Sequence, residues 1–291
     1  MAHPEVFYKY MSARTARIVL ETSRLRWSSP LEFNDQSEFQ RMPRFKPTIA
    51  DGLRKFPQLL LDVVAGTVEI DEKSMTLSAQ LLLSILRRIP ISRSTAEEMS
   101  AALSPEEIAN ADNKAEQALR EYILGLNLKA FRILCVTLAP DNEAMWANYA
   151  EDNSGCVLGF RHIPTHDTPL LAARKVDYSE DAPVVGSGLD LLLYGGTEVL
   201  TSKTVQAICF TKKAPWAYEQ EWRAMTYRAT SQNSTFSDFK FYADELESIT
   251  FGPRIDTTIV EELKALVQAK FKSCMMHMFE VKEGRTVRSV L

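Results

Sequence analysis

Trp216-Ala217-Tyr218-Glu219-Gln220-Glu221-Trp222-Arg223 is the most informative stretch of this chain. Read as a strand, its period of two puts Glu219, Glu221 and Arg223 on one face and Tyr218, Gln220 and Trp222 on the other. Two carboxylates so close repel unless a cation or a proton relieves them, and Arg223 supplies a cation. The same pattern serves either chemistry or a salt-bridged strand end, with Lys212 and Lys213 close by in sequence. The aromatic bracket of Trp216, Tyr218 and Trp222 suits a pocket better than an open surface.

Strand signals surround this stretch. Val6 to Tyr10, Leu25 to Ser28, Phe131 to Leu138, Gly155 to Phe160, Lys175 to Tyr178, Ala207 to Thr211, Glu221 to Tyr227, Leu246 to Phe251 and Met275 to Val281 all read as strands. Helical spacing appears over Ser12 to Leu25, Glu143 to Glu151 and Thr258 to Lys272, the last opened by Thr258-x-x-Glu261. Asp181 to Gly196 reads as a loop with a short helix. Gly52 to Arg132 differs: Leu53 to Gly66, Ser78 to Ile89 and Glu106 to about Ala130 predict helices. Capping boxes stand at Ser94-Thr95-Ala96-Glu97 and Ser104-Pro105-Glu106-Glu107. The expected class is α+β, a mixed strand-rich core in a single domain over 1–291 with a helical insertion at about 52–132.

Composition bounds the partners. The chain has 291 residues, 45% of them hydrophobic and 25% charged, which is enough material for a real core. A formal charge of −4 without a basic run weakens a phosphate-backbone role but leaves nucleic acid open, since a local basic patch can sit on an acidic protein. The start, MAHPEVFYKYMSAR, lacks the basic end and apolar block of a secretory signal, and no apolar run approaches a membrane span. Cys135, Cys156, Cys209 and Cys274 form no CxxC pair and read as free thiols, so a cytoplasmic protein is expected.

Each candidate site has a plainer explanation beside it. Ser28 to Glu38 gathers hydroxyls with Asn34, Asp35 and Glu38 in a loop, the kind of segment that presents functional groups, or else an Asx-turn and cap. Met145-Trp146-x-x-Tyr149 makes either a core face or a stacking wall for a planar ring. His162-x-x-x-His166 has metal-pair spacing, but Pro164 disfavours a helix, so a solvent-exposed loop is expected. His277 reads as structural. No GxGxxG, P-loop or Gly-x-Ser-x-Gly sequence occurs.

Through Tyr8-Lys9-Tyr10, Leu25 to Glu38, Met145 to Ala150, Gly155 to Phe160, Val176-Asp177-Tyr178 and Trp216 to Arg223, the chain resembles a bacterial family known as domain of unknown function 2971. Its Phe-Asn-Asp-x-x-Glu and Trp-x-Tyr-Glu-x-Glu-Trp-Arg segments carry the likeness. Gln36 stands where that family usually has proline, and Asn148 where it often has a small residue or histidine. The resemblance implies a role in phage defence or toxin systems. More distantly, the order Tyr8-Lys9-Tyr10, Ser28-Ser29, Glu219-x-Glu221 is similar to that of ADP-ribosyltransferases, which implies a split sheet and NAD as co-substrate. In that likeness Glu221 stabilises an oxocarbenium-like transition state and Glu219 orients or deprotonates the acceptor. Tyr8, Tyr10, Ser28, Ser29, Asn34, Asp35, Trp146, Tyr149 and Arg223 would line the site, with no metal. The acceptor would be an unidentified macromolecule. The rival expectations are a non-catalytic sensor that binds a ligand or protein, and a metal-dependent phosphodiesterase using Asp35, Glu38, Glu219 and Glu221.

Overall fold

Ser12 starts the first helix by accepting a hydrogen bond from Thr15 N, and Ser23 ends it in a left-handed conformation. That helix, Ala13–Thr22, buries Ala16, Val19 and Leu20, the i, i+3, i+4 face its spacing predicts. It lies between the strands Val6–Met11 and Arg24–Ser28. The computed structural model describes residues 3–35, 37–89, 94, 97–98, 101–102, 104–228, 234–282 and 285–291. The chain is α+β and forms two compact units: Met1–Gln36, Asn127–Tyr178 and Lys212–Leu291 make one, Ser37–Leu126 and Ser179–Thr211 the other.

The first unit is built on a mixed sheet. Phe131–Thr137 is its pivot. One edge of this strand pairs along its whole length with Glu221–Tyr227. The other edge is shared, Ile133 facing Ser28 of Arg24–Ser28 and Thr137 facing Tyr8 of Val6–Met11. From Val6–Met11 the sheet continues through Cys156–Arg161, Leu246–Phe251, Met275–Lys282 and Arg285–Val290. Phe236–Lys240 extends the other arm beyond Arg24–Ser28.

Alternation along these strands sorts the side chains to two faces. Phe7, Leu134, Val136, Leu158, Phe160, Ile249 and Phe251 form the main core with the helices Ala13–Thr22 and Thr257–Lys270. On the opposite face, Tyr10, Val157 and Phe279 pack against Met145 and Trp146 of the helix Glu143–Tyr149.

The second unit has its own core of Leu60, Leu61, Val63, Met75, Ala79, Leu83, Leu86 and Leu193. The helices Ile49–Val64 and Gly188–Tyr194 cross at two glycines. A Cβ on Gly188 would lie 2.3 Å from Thr48 O, and one on Gly52 would lie 2.7 Å from Leu189 N. Asp112, on the long helix Pro105–Gly125, accepts from Ile49 N at 2.7 Å and so caps a neighbouring helix.

Several element boundaries differ from the sequence pattern. Ala207 to Cys209 is not a strand but the end of the helix Glu198–Cys209, capped by Thr197 and burying Thr204, Ala207 and Ile208 at helical spacing, and a strand begins only at Thr211. The run looks extended only when the cap ten residues upstream is ignored. Thr257–Lys270 is capped by Asp256, which accepts from Thr258 N, so Thr258 is inside the helix instead of capping it. The box at Ser104 and Glu107 forms. Of the box expected at Ser94-Thr95-Ala96-Glu97, Thr95 and Ala96 lie outside the described residues, as does Gln36.

Candidate active site

Glu219 and Glu221 do meet, though not by strand alternation. Ala214–Glu219 is a 3-10 helix, Gln220 follows at φ 45°, and the strand starts only at Glu221. The left-handed residue turns the chain so that both carboxylates face Lys212. Lys212 Nζ donates to Glu219 Oε2 at 2.7 Å and to Glu221 Oε2 at 3.4 Å. The cation shared by the two carboxylates is therefore Lys212, while Arg223 forks onto Glu221. Arg223 Nε and Nη2 donate to the two Glu221 oxygens at 2.7 and 3.0 Å, a bidentate fork with the guanidinium 1% exposed.

More polar groups complete the cluster. Tyr149 Oη donates to Glu219 Oε1 at 2.6 Å and is itself hydrogen-bonded by the side chain of exposed Asn34. Glu221 N donates to Tyr178 Oη at 2.8 Å, and the Cys135 thiol hydrogen-bonds the Glu221 carboxylate. The Thr137 hydroxyl donates to Glu219 O and accepts from Ala139 N. Lys9 lies where the sheet forks, its ammonium donating to Cys135 O at 2.9 Å. All four cysteines are free.

Burial and charge push these groups apart. Burial raises the Glu219 carboxyl above the ordinary value despite Lys212 and Tyr149. Burial also disfavours the Glu221 anion, but Arg223 and then Lys212 outweigh it and hold its carboxyl at about 2. Burial lowers the Lys9 ammonium and raises the phenols of Tyr149 and Tyr178. The two shifts run in opposite directions, so Glu221 holds its charge and Glu219 is the more readily protonated of the pair.

The residues expected at the site separate into two groups. Asn34, Tyr149, Glu219, Glu221 and Arg223 come together as described. Tyr8 lies on the same sheet face, one strand beyond Thr137. Trp146 does not form a stacking wall. It is fully buried, stacked 4.9 Å from Phe279, with its Nε1 donating to Pro140 O. Tyr10 is likewise core, its hydroxyl tied to Ala139 O and Asn142 N. Ser29 is buried as the cap of the turn Pro30–Glu32 and donates to Leu128 O, so its hydroxyl is used up structurally. Ser28 ends its strand, paired to Phe236 and Ile133. Asp35 is half-buried in the following loop.

Lys212, Lys9, Cys135 and Tyr178 complete a cluster that the Glu-x-Glu pattern only partly indicated. Lys9 and Tyr178 fall inside motif segments that could have flagged them, whereas Cys135 has no local signal. His162 is not a solvent-exposed loop residue: its ring nitrogens are buried and the ring meets His3 edge-on at 5.0 Å. His166 pairs with Asp244 at 3.0 Å. Among the described residues no group of three or more His, Cys, Asp or Glu is placed to hold a metal ion. No described helix is long and apolar enough to cross a membrane. No protein-family model, curated protein or solved structure matches the chain.

Proposed function

We propose that this protein transfers a glycosyl group from NAD in the manner of an ADP-ribosyltransferase, with Glu219 and Glu221 as the working pair. The observation that carries the reading is the opposite direction in which two carboxylates joined by one lysine are shifted. The C1′–N bond to nicotinamide breaks and its electron pair leaves with the nicotinamide nitrogen, which becomes neutral. The ribosyl cation that develops is stabilised by the permanent anion at Glu221. An acceptor nucleophile bonds to C1′ and gives its proton to Glu219, whose raised pKa suits a general base. Lys212 and Tyr149 hold Glu219 in position, and Arg223 keeps Glu221 ionised. The convergence of Tyr8, Thr137 and Glu221 on neighbouring strands, with Lys9 at the fork, supports the reading further. A role in bacterial phage defence or a toxin system fits this chemistry.

The bidentate Arg223 fork favours a second reading, a non-catalytic module that senses a ligand or protein through a rigid polar cluster. The test is transfer of adenylate-labelled NAD to proteins of a bacterial lysate. Catalysis predicts labelled acceptor with wild type and none with Glu219→Gln or Glu221→Gln of unchanged circular dichroism. Equal labelling by all three, or none with wild type, leaves the sensor in place.

A further inference from the structure

A second polar cluster lies on the same sheet face, four strands from Glu221. Direct pairings run Glu221–Thr137, Thr137–Tyr8, Tyr8–Gly159 and Gly159–Ser248, so these residues form one row. At about 4.8 Å per strand the row spans roughly 19 Å. A bulge breaks the register between Leu246 and Ser248, and it turns both Glu247 and Ser248 toward this face. Gly159 makes room for them. A Cβ there would stand 2.5 Å from Ser248 Oγ, 3.2 Å from Glu247 Oε2 and 3.1 Å from Tyr8 Cε1. A hydroxyl, a carboxylate and an aromatic ring edge thus converge over one glycine.

These groups are not satisfied by the protein. Among the described residues, Glu247 Oε2 and Ser248 Oγ are buried with no hydrogen-bond partner, and Ser248 is 1% exposed. Orphan groups of this kind cost stability unless something fills their bonds. Glu247 has one weak partner, Arg161 Nη2 at 3.9 Å, whose side chain is 53% exposed and can swing out to solvent. Arg161 already faces the one carboxylate, so a cationic ligand is disfavoured. A neutral group that both donates to Glu247 and accepts from Ser248 fits, and adjacent hydroxyls do both.

Resting on the NAD reading above, we infer that Glu247 and Ser248 bind the ribose diol of the adenosine half of the dinucleotide, with Tyr8 beside it. A carboxylate on a ribose hydroxyl is a general solution for such ligands. The glycosidic bond that breaks then lies at the Glu221 end of the row.

Calorimetric or NMR titration with ADP tests the assignment without turnover. ADP binds wild type, while Glu247→Ala weakens it about tenfold or more and Ser248→Ala severalfold. The 2′,3′-dideoxy analogue binds wild type no better than ADP binds Glu247→Ala, a comparison that needs no variant to fold. Equal affinity for ADP and its dideoxy analogue overturns the inference, as does no ADP binding, and ordered water alone on Glu247 Oε2 and Ser248 Oγ in crystals soaked with ADP does the same. If NAD turns over while ADP binding ignores Glu247, the inference fails and the enzyme reading stands. Diol-dependent ADP binding without NAD turnover supports the ribose site and removes the enzyme reading.

Discussion

The two polar clusters on this sheet face differ in how well they are satisfied. Around Glu221 the carboxylate oxygens and the side chains facing them have partners: Arg223 forks onto Glu221, Lys212 bridges to Glu219, and Tyr149 closes the far side. Around Glu247, its own buried Oε2 and the Ser248 hydroxyl have none. A satisfied cluster is rigid and preorganised, so removing any member leaves a buried charge behind. An unsatisfied cluster already bears the desolvation cost, and removing a member relieves it. The first site is thus built to hold charge in place, and the second to receive hydrogen bonds from outside the chain.

Arg223→Ala challenges this contrast most severely. It strands Glu221, and loss of one partner of a buried pair costs about 3–5 kcal/mol, read as a large fall in Tm. A Tm close to that of wild type would mean that the fork contributes little. Arg223→Lys, which cannot fork, recovers only part of the loss.

Acid titration separates the two glutamates. The Glu221 pKa is lowered, so its stabilisation is complete above the ordinary value near about 4.3 and disappears as pH falls toward about 2. The Glu219 pKa is raised, so its sign is opposite, and its ionisation costs stability as pH rises through the folded value. Glu221→Gln therefore lowers Tm at neutral pH and flattens its acid dependence. Glu219→Gln keeps the acid limb and, by removing the cost of ionisation, leaves neutral Tm equal to wild type or above it. Identical acid limbs in the two variants would contradict the division of roles.

The smallest effect belongs to Ser248→Ala, which deletes an orphaned buried hydroxyl. Its Tm should stay equal to wild type or rise by an amount worth up to about 1 kcal/mol. A loss of about 2 kcal/mol or more would show that the hydroxyl has an internal partner, and the contrast between the clusters would collapse.

The architecture is unevenly legible in the sequence, for physical reasons. Helices with local caps are legible: Ser12 and Ser104 mark their starts in the chain itself. The carboxylate pair is legible as composition, but its geometry is not, because Gln220 in a left-handed turn overrides alternation. The aromatic pattern at Trp146 cannot separate core from ligand wall, because the ring stacked on it belongs to Phe279, more than a hundred residues away. Phe236–Lys240 carries little strand signal, since its exposed face alternates weakly with polar residues. The bulge at Glu247 depends on the register of a distant strand, so nothing local announces it.

Release of free nicotinamide from NAD by the purified protein, followed with time for wild type and Glu219→Gln, bears most directly on the division of roles between the two glutamates. Wild type should release it steadily, at a rate that rises with pH as Glu219 ionises, and the variant should be slower by about a hundredfold or more with its fold intact. Release that is absent from wild type, or undiminished in Glu219→Gln, would contradict the transferase reading.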